Sequence, residues 1–278
     1  MDLPENLTEH LDGDMQYEQQ SKSKNGINEN ELDTDEEDAG GIKSPEKTVF
    51  RLFMTSGIGA EEQKEFAQFL NSIGVEFVES STCEPNATHV IAQKIARSEK
   101  MLGSIASGKW LLHPSYMVDS IENGQLVDEE NYEWGNSKND LINDLSTDLE
   151  KKLAKASHRL RVKREKGLES VFSGIKAIIH TSEQRKSSFK KLLELGGGNV
   201  LDSNKIKAPY SDPKDATHCI AEPNKLPKQS IDYEALAMKG VAVVNPVYIN
   251  EFLANDPPPS AENHLIEDFK QHWSKRKF

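Results

Sequence analysis

The sequence carries one pattern twice, as Ala87-Thr88-His89-Val90-Ile91-Ala92 and, 129 positions later, as Ala216-Thr217-His218-Cys219-Ile220-Ala221. Each copy ends in a short apolar run, which is typical of a buried strand. Two more landmarks repeat in the same order: Phe69–Gly74 returns as Leu192–Gly197, and Gly108, Pro114 and Tyr116 return as Gly240, Pro246 and Tyr248. Repetition on this scale indicates two copies of an α/β unit of about 90 residues.

The elements around the first copy alternate between strand and helix. Hydrophobic periodicity predicts strands over 49–54, 75–78, 88–92 and 110–112, and helices over 61–73, 98–107 and 114–121. Residues 55–60 form the Gly-bearing turn between the first strand and the first helix. The order is βαββαβα, and it returns after residue 171.

A charged segment joins the two units. Residues 139–166 carry five leucines interleaved with charged residues, which predicts an amphipathic helix. Its basic half, Lys151–Lys166, is consistent with binding to nucleic acid. The alternative is that the leucines pack on the two units and the charges form a solvated face.

The net charge of −12 is concentrated at the start of the chain. Residues 1–46 hold 14 acidic residues against Lys22, Lys24 and Lys43, a net of −11, so the other 232 residues carry −1. This segment has few large apolar residues and no period, and we expect it to be a disordered acidic tail. A globally acidic surface is therefore excluded.

Several functional classes find no support in the sequence. Cys83 and Cys219 are far apart and belong to no CxxC pair, so we expect neither a disulfide scaffold nor a structural metal. No apolar run approaches the ~18 residues of a membrane span. No arrangement of Ser/His/Asp, Cys/His or paired carboxylates points to catalysis. We expect no enzyme, no cofactor, no small-molecule substrate and no membrane partner.

Thr88-His89-Val90, Gly108-Lys109-Trp110 and the Ser56-Gly57 turn resemble a BRCT domain, and the duplication resembles a tandem BRCT pair. More narrowly, residues 108–116 and 129–135 are similar to the C-terminal BRCT pair of the topoisomerase II-binding protein. The resemblance implies an α/β fold of two four-stranded parallel sheets flanked by helices. The predicted organisation is a tail at 1–46, repeat 1 at 48–135, a helical linker at 136–170, repeat 2 at 171–270 and a basic C-terminal tail at 271–278.

The resemblance also implies a function. Tandem BRCT pairs of this kind recognise a phosphoserine or phosphothreonine segment of a nuclear partner in DNA-damage and replication-checkpoint signalling or repair. The chain is then an adaptor that acts in the nucleus. The alternative is a BRCT scaffold that binds DNA or poly(ADP-ribose), helped by the basic linker and by Ser274–Lys277.

The turn at Thr55–Gly59 joins a strand to the start of a helix, where free amide groups and the helix dipole favour an anion. Taken alone, this pattern favours a structural turn and helix cap over an anion site. The resemblance assigns Ser56, Gly57 and Lys100 to the phosphate, and Arg97, Leu102 and Lys191 to the peptide beyond it. The narrower relative has an arginine where this chain has Gln63, which removes one cation.

Overall fold

The structure is a computed structural model that describes residues 50–201, 215–222, 224 and 231–276. It contains two four-stranded parallel sheets, in the strand orders β2-β1-β3-β4 and β6-β5-β7-β8. The first sheet consists of β1 (Leu52–Ser56), β2 (Glu76–Phe77), β3 (His89–Ala92) and β4 (Trp110–Leu112). The second consists of β5 (Lys176–His180), β6 (Asn199–Val200), β7 (His218–Ala221) and β8 (Ala242–Val244). The predicted fold class is confirmed, and the predicted tail at 1–46 lies outside the described residues.

Helices flank both sheets. Repeat 1 carries α1 (Ala60–Ser72), α2 (Glu99–Ala106) and α3 (Ser115–Asn123). The linker carries α4 (Asp148–Glu165), and repeat 2 carries α5 (Glu183–Leu195), α6 (Tyr233–Met238), α7 (Val247–Ala254) and α8 (Glu267–Lys275).

Strand β1 ends later than the sequence predicts. The sequence pattern assigns Thr55 and Ser56 to the turn, but they pair in register with Ile91 and Ala92 of β3. The strand continues because this parallel pairing satisfies its backbone groups as far as Ser56. Ser56 is therefore fixed by the sheet, and the turn proper begins at Gly57.

The first sheet separates two hydrophobic clusters. Phe53 faces the cluster built with α1 and α3, whereas its neighbours Leu52 and Met54 face a larger cluster. This alternation is the period of two expected of a strand. The larger cluster runs through α2, α4 and α5 into the second sheet, so the two repeats share one continuous core.

The linker helix is shorter than the sequence predicts. It begins at Asp148 rather than near residue 139, because Thr147 and Glu150 form a capping box that fixes its first turn. Residues Leu141–Asp144 form a separate 3₁₀ turn. Of the predicted leucine stripe, Leu145, Leu153 and Leu160 are buried, but Leu149 is 38% exposed.

The predicted boundary at residue 270 falls inside a helix. Residues 271–275 belong to α8, which buries Phe269, and the Arg276 guanidinium stacks 3.4 Å from the centre of the Trp273 ring. The described part of the predicted basic tail is therefore packed on repeat 2. Among the described residues, no helix combines the length and apolar character needed to span a membrane.

Candidate functional site

The turn after β1 leaves donor groups open to solvent. Gly57 is exposed and has a φ of +71°, a left-handed conformation that favours glycine. Gly59 is the N-cap of α1 and supplies no side-chain cap, so no side chain occupies the amide groups of the first turn. Within the described chain the Ser56 hydroxyl makes no hydrogen bond. The turn can therefore offer both a hydroxyl and backbone N–H groups to an anion.

Acidic and polar side chains of α1 lie next to this turn and affect how well it can hold an anion. Glu61 and Glu62 lie in the first turn of α1, where they complement the helix dipole and oppose a bound anion. Gln63 accepts a hydrogen bond from the Thr55 hydroxyl at 2.5 Å, so it is tied to β1. The residue that replaces the relative's arginine has a local structural partner.

The segment that carries Arg97 and Lys100 begins at the same edge of the sheet. The amide of Gln93, which follows β3, donates to the Ser56 carbonyl at 3.2 Å. Adjacent parallel strands end at one sheet edge, so the Ser56–Gly57 turn and the loop into α2 start side by side. Ser98 is the N-cap of α2 and accepts a hydrogen bond from Met101 N at 3.2 Å.

The Lys100 ammonium is held by a group that the sequence did not indicate. It donates to the Ser80 carbonyl at 2.6 Å, and burial lowers its pKa below the ordinary lysine value. No hydrogen bond joins it to Ser56 or Gly57 in the described chain. An ammonium has three donors, so this bond leaves two for a ligand. No sequence pattern connects Lys100 with a loop 20 residues earlier.

Arg97 and Leu102 line a cavity between the repeats, of about 350 Å³. The opposite walls come from α4 and α7. The apolar lining includes Leu149, Leu153, Val247 and Ala254, and the polar lining includes Lys152, Asn250, Glu251 and Asn255. The structure therefore brings these two predicted residues together at the junction of repeat 1, linker and repeat 2.

Lys191 lies on another side of α2. Its ammonium is 3.9 Å from Glu99, which also accepts a hydrogen bond from the Ser188 hydroxyl at 2.7 Å. Lys191 is thus next to the first turn of α2 but partly neutralised by Glu99. Sequence reasoning missed Glu99, an acidic neighbour of Lys100 that opposes a bound phosphate.

The described residues contain no cluster of three His, Cys, Asp or Glu side chains able to hold a metal ion.

Comparison with known proteins gives a consistent set of BRCT matches. The family model of the BRCT domain of Regulator of Ty1 transposition protein 107 matches residues 34–134. Human SMC5-SMC6 complex localization factor protein 1 is 30% identical over 175 residues, which are 63% of this chain and 16% of that protein. A BRCT domain-containing protein of Arabidopsis thaliana is 27% identical over 220 residues, 78% of this chain and 15% of that protein. The chain thus spans about a sixth of the length of these relatives.

A solved structure shows the same fold. The crystal structure of the BRCT5-BRCT6 domains of S. pombe Brc1 superposes with a TM-score of 0.54 at 15% sequence identity, covering 80% of this chain and 100% of that one. The narrower resemblance to the topoisomerase II-binding protein stays a prediction, since the human and Arabidopsis relatives bear other names. BRCT domains are in general protein-interaction modules, and these matches indicate no catalytic family. In sequence over residues 34–134 and in the fold of its two parallel sheets, the chain is similar to tandem BRCT domain proteins.

Proposed function

We propose that this BRCT pair is a phosphoprotein-binding adaptor that recognises a phosphoserine or phosphothreonine segment of a nuclear partner. One observation carries the proposal: the open Ser56–Gly57 turn and the loop that leads into α2 begin side by side at one edge of the first sheet. The inter-repeat cavity next to Arg97 then offers a place for the peptide.

In this proposal three groups hold the phosphate. The Ser56 hydroxyl and the Gly57 amide each donate a hydrogen bond, and the Lys100 ammonium contributes charge with the two donors that Ser80 leaves free. A hydrogen bond to a charged group is worth about 1.5–3 kcal/mol. Three such bonds are enough to make recognition depend on the phosphate.

The peptide beyond the phosphate lies along α2 toward repeat 2. Arg97 holds its backbone at the rim, while Leu102, Leu149 and Val247 receive an apolar side chain in the cavity. Leu149 and Val247 are 38% and 48% exposed, so covering them removes apolar surface from water. Lys191 supplies positive charge on the repeat 2 side of α2.

The biological setting of the proposal is DNA-damage response, replication-checkpoint signalling or repair in the nucleus. The BRCT relatives support it, among them a protein named for localising the SMC5-SMC6 complex. This chain covers 16% of that protein. The partner of this chain is therefore described by its chemistry alone, as a phosphorylated nuclear protein.

The test is phosphopeptide binding by the Lys100→Glu variant. A phosphopeptide library selects a ligand for the wild-type chain, and titration calorimetry measures its dissociation constant. We expect at least tenfold weaker binding, because the change removes a charged donor worth about 1.5–3 kcal/mol and adds repulsion. The matched control is Lys64→Glu, the same charge change at an exposed position of α1, which should bind within twofold or so of wild type.

Ser56→Ala provides a second, milder variant that keeps the Lys100–Ser80 bond. We expect it to weaken binding by roughly tenfold and to leave the circular dichroism spectrum unchanged. Equal affinity of wild type, Lys100→Glu and Ser56→Ala for the selected peptide, or equal affinity for its unphosphorylated form, contradicts the proposed function.

A further inference from the structure

The outer face of α4 carries five lysines, Lys151, Lys152, Lys155, Lys163 and Lys166, which we name the lysine face. At about 100° per residue they fall within an arc of about 120°. The opposite side of the helix packs into the shared core through Leu153, Ala156 and Leu160. The lysine face is therefore turned away from Leu153 and Leu160, but at its border Lys152 lines the inter-repeat cavity, and Arg159 on the same arc donates to carbonyls at the end of α7.

These lysines have no carboxylate partners. In the described part of the chain none of the five forms an ion pair, whereas Lys138, Lys190 and Lys270 on other elements each do. Arg159, which lies within the same arc, is paired with Asp256, and the buried Arg161 is paired with Glu133. The lysine face is thus a concentration of uncompensated positive charge.

Acidic residues of α4 do little to neutralise this face. Glu150 is occupied by the capping box with Thr147, and Glu165 pairs with Arg161. Asp148 lies on the same arc, at its N-terminal end, and makes no ion pair with Lys152 among the described contacts.

Helix stability explains only part of the pattern. Cations are favourable in the last turn of a helix, which accounts for Lys163 and Lys166. The dipole gives no such reason for Lys151, Lys152 and Lys155, which lie in the N-terminal half. Their continuity with the last turn points to a ligand that runs along the helix.

We infer that the lysine face binds the sugar-phosphate backbone of duplex DNA without reading its base sequence. From Lys151 to Lys166 it spans about 22 Å, and duplex DNA presents one charge per about 1.7 Å of its axis. Helix α4 contains no Phe, Tyr or Trp on which unpaired bases could stack, which argues against single strands. On the lysine face the exposed donors are lysines, which suit phosphates, and the exposed Arg164 lies on another side of the helix. This surface is separate from the Ser56–Gly57 turn.

The experiment measures binding of the full chain to a labelled duplex of about 30 base pairs by fluorescence anisotropy as salt is raised from about 50 to 200 mM. Four or five phosphate contacts predict that log affinity falls with log salt with a slope of about −4. The triple variant Lys155→Gln, Lys163→Gln, Lys166→Gln should lose at least tenfold in affinity at the low-salt end. Its slope should become shallower by about 2–3.

The matched control is Lys138→Gln, Lys190→Gln, Lys270→Gln, which removes the same charge from lysines that have carboxylate partners. It should bind duplex within about threefold of wild type. Equal loss in both triple variants overturns the proposal, because the effect is then one of net charge. Absence of salt-dependent duplex binding by wild type also overturns it.

Competition separates the possible polyanions. Unlabelled duplex should displace the probe better than poly(ADP-ribose) or a polyglutamate peptide at equal charge. If either competitor is as effective as duplex, the DNA assignment is wrong. The lysine-face triple variant should bind the selected phosphopeptide with the affinity of wild type. The duplex and phosphopeptide measurements therefore test this inference and the proposed function independently.

Discussion

The two repeats have the same sheet topology but contact the linker helix in different ways. An isolated bridge pairs Leu112 with Glu133 in repeat 1, and the equivalent bridge pairs Val244 with Leu265 in repeat 2. Glu133 is fully buried and binds Arg161 of α4 through both carboxylate oxygens, at 2.8 and 2.6 Å. A buried ion pair thus joins the linker to repeat 1 at a position where repeat 2 has an apolar residue.

The aromatic neighbours follow the same asymmetry. Trp110 of β4 lies 3.8 Å below the Arg161 guanidinium, whereas the equivalent position of β8 is Ala242. Trp110 is half-buried by this contact rather than enclosed in the core. The linker helix therefore binds repeat 1 through a buried ion pair and repeat 2 through the half-buried Arg159, which donates to the Leu253 and Asn255 carbonyls and pairs with Asp256.

The helix starts differ as well. In α2 the N-cap is Ser98, and in the shorter α6 it is Asp232, which accepts a hydrogen bond from Ala235 N at 3.0 Å. Counting along the sequence places Asp232 opposite Lys100, but its capping role makes it the counterpart of Ser98. Helix α6 has six residues against eight in α2, which accounts for the displacement.

The largest expected effect comes from breaking the ion pair of repeat 1. Arg161→Ala takes the guanidinium away from the buried Glu133, which keeps only His158 and Asn136 as partners, and should lower the free energy of unfolding by about 3 kcal/mol. Urea denaturation followed by circular dichroism measures the change. Lys163→Ala on the same helix is the control and should stay within about 0.5 kcal/mol of wild type.

The double variant Glu133→Leu, Arg161→Met gives repeat 1 the apolar choice of repeat 2. Its free energy of unfolding should be close to that of wild type, because replacing a buried ion pair by apolar residues is often neutral in stability. A loss below about 1 kcal/mol in Arg161→Ala contradicts the assigned role of the pair.

At acidic pH, the equivalent histidines of the two repeats should contribute differently to the loss of unfolding free energy. Burial lowers the pKa of His218 to about 4, and burial also lowers that of His89, where Glu129 opposes the shift. Because the folded pKa is depressed, the unfolded state binds more protons below pH 6.5, so stability is complete above that pH and falls as the pH approaches 4. The contribution of His218 should be about 2–3 kcal/mol, measured by urea denaturation across this range.

His218→Gln removes the titrating group and should flatten the dependence of unfolding free energy on pH between about 6.5 and 4.5. His89→Gln should flatten it less, since Glu129 stabilises the protonated form of His89. An equal or larger effect of His89→Gln reverses the expected order of the two repeats.

The smallest expected effects concern the two caps. Ser98→Ala and Asp232→Ala each remove a hydrogen bond to a first-turn amide and should each cost about 1 kcal/mol. Thermal and urea unfolding of both variants measure this, with Ser72→Ala in the last turn of α1 as a control within about 0.5 kcal/mol. If both caps prove neutral, other contacts determine where these helices begin.

The sequence predicted the order βαββαβα of each repeat, because this order depends on local periodicity and on the duplication itself, but it did not predict α8. The open Gly57 turn was also predictable, since a glycine between a strand and a helix is a local signal. The start of α4 was predicted wrongly, although Thr147 and Glu150 have the spacing of a capping box that marks it.

Other features carry no local signal. The Lys100–Ser80 and Arg161–Glu133 contacts join residues 20 and 28 positions apart, and the cavity near Arg97 needs side chains from three separate segments. Such contacts depend on how elements pack, and no local pattern of a single sequence encodes them. The roles of Ser56, Gly57, Lys100, Arg97 and Leu102 in binding remain predictions.

The stacking of Trp110 under Arg161 gives the chain a built-in optical probe. Trp110 and Trp134 both lie where α4 meets repeat 1, with the Trp134 indole N–H donating to the Ala92 carbonyl at 3.0 Å. Of the three tryptophans, only Trp273 is placed elsewhere, on α8. Intrinsic emission therefore reports mainly on linker docking, and the far-ultraviolet signal reports on both sheets, so the two can be followed separately without a label.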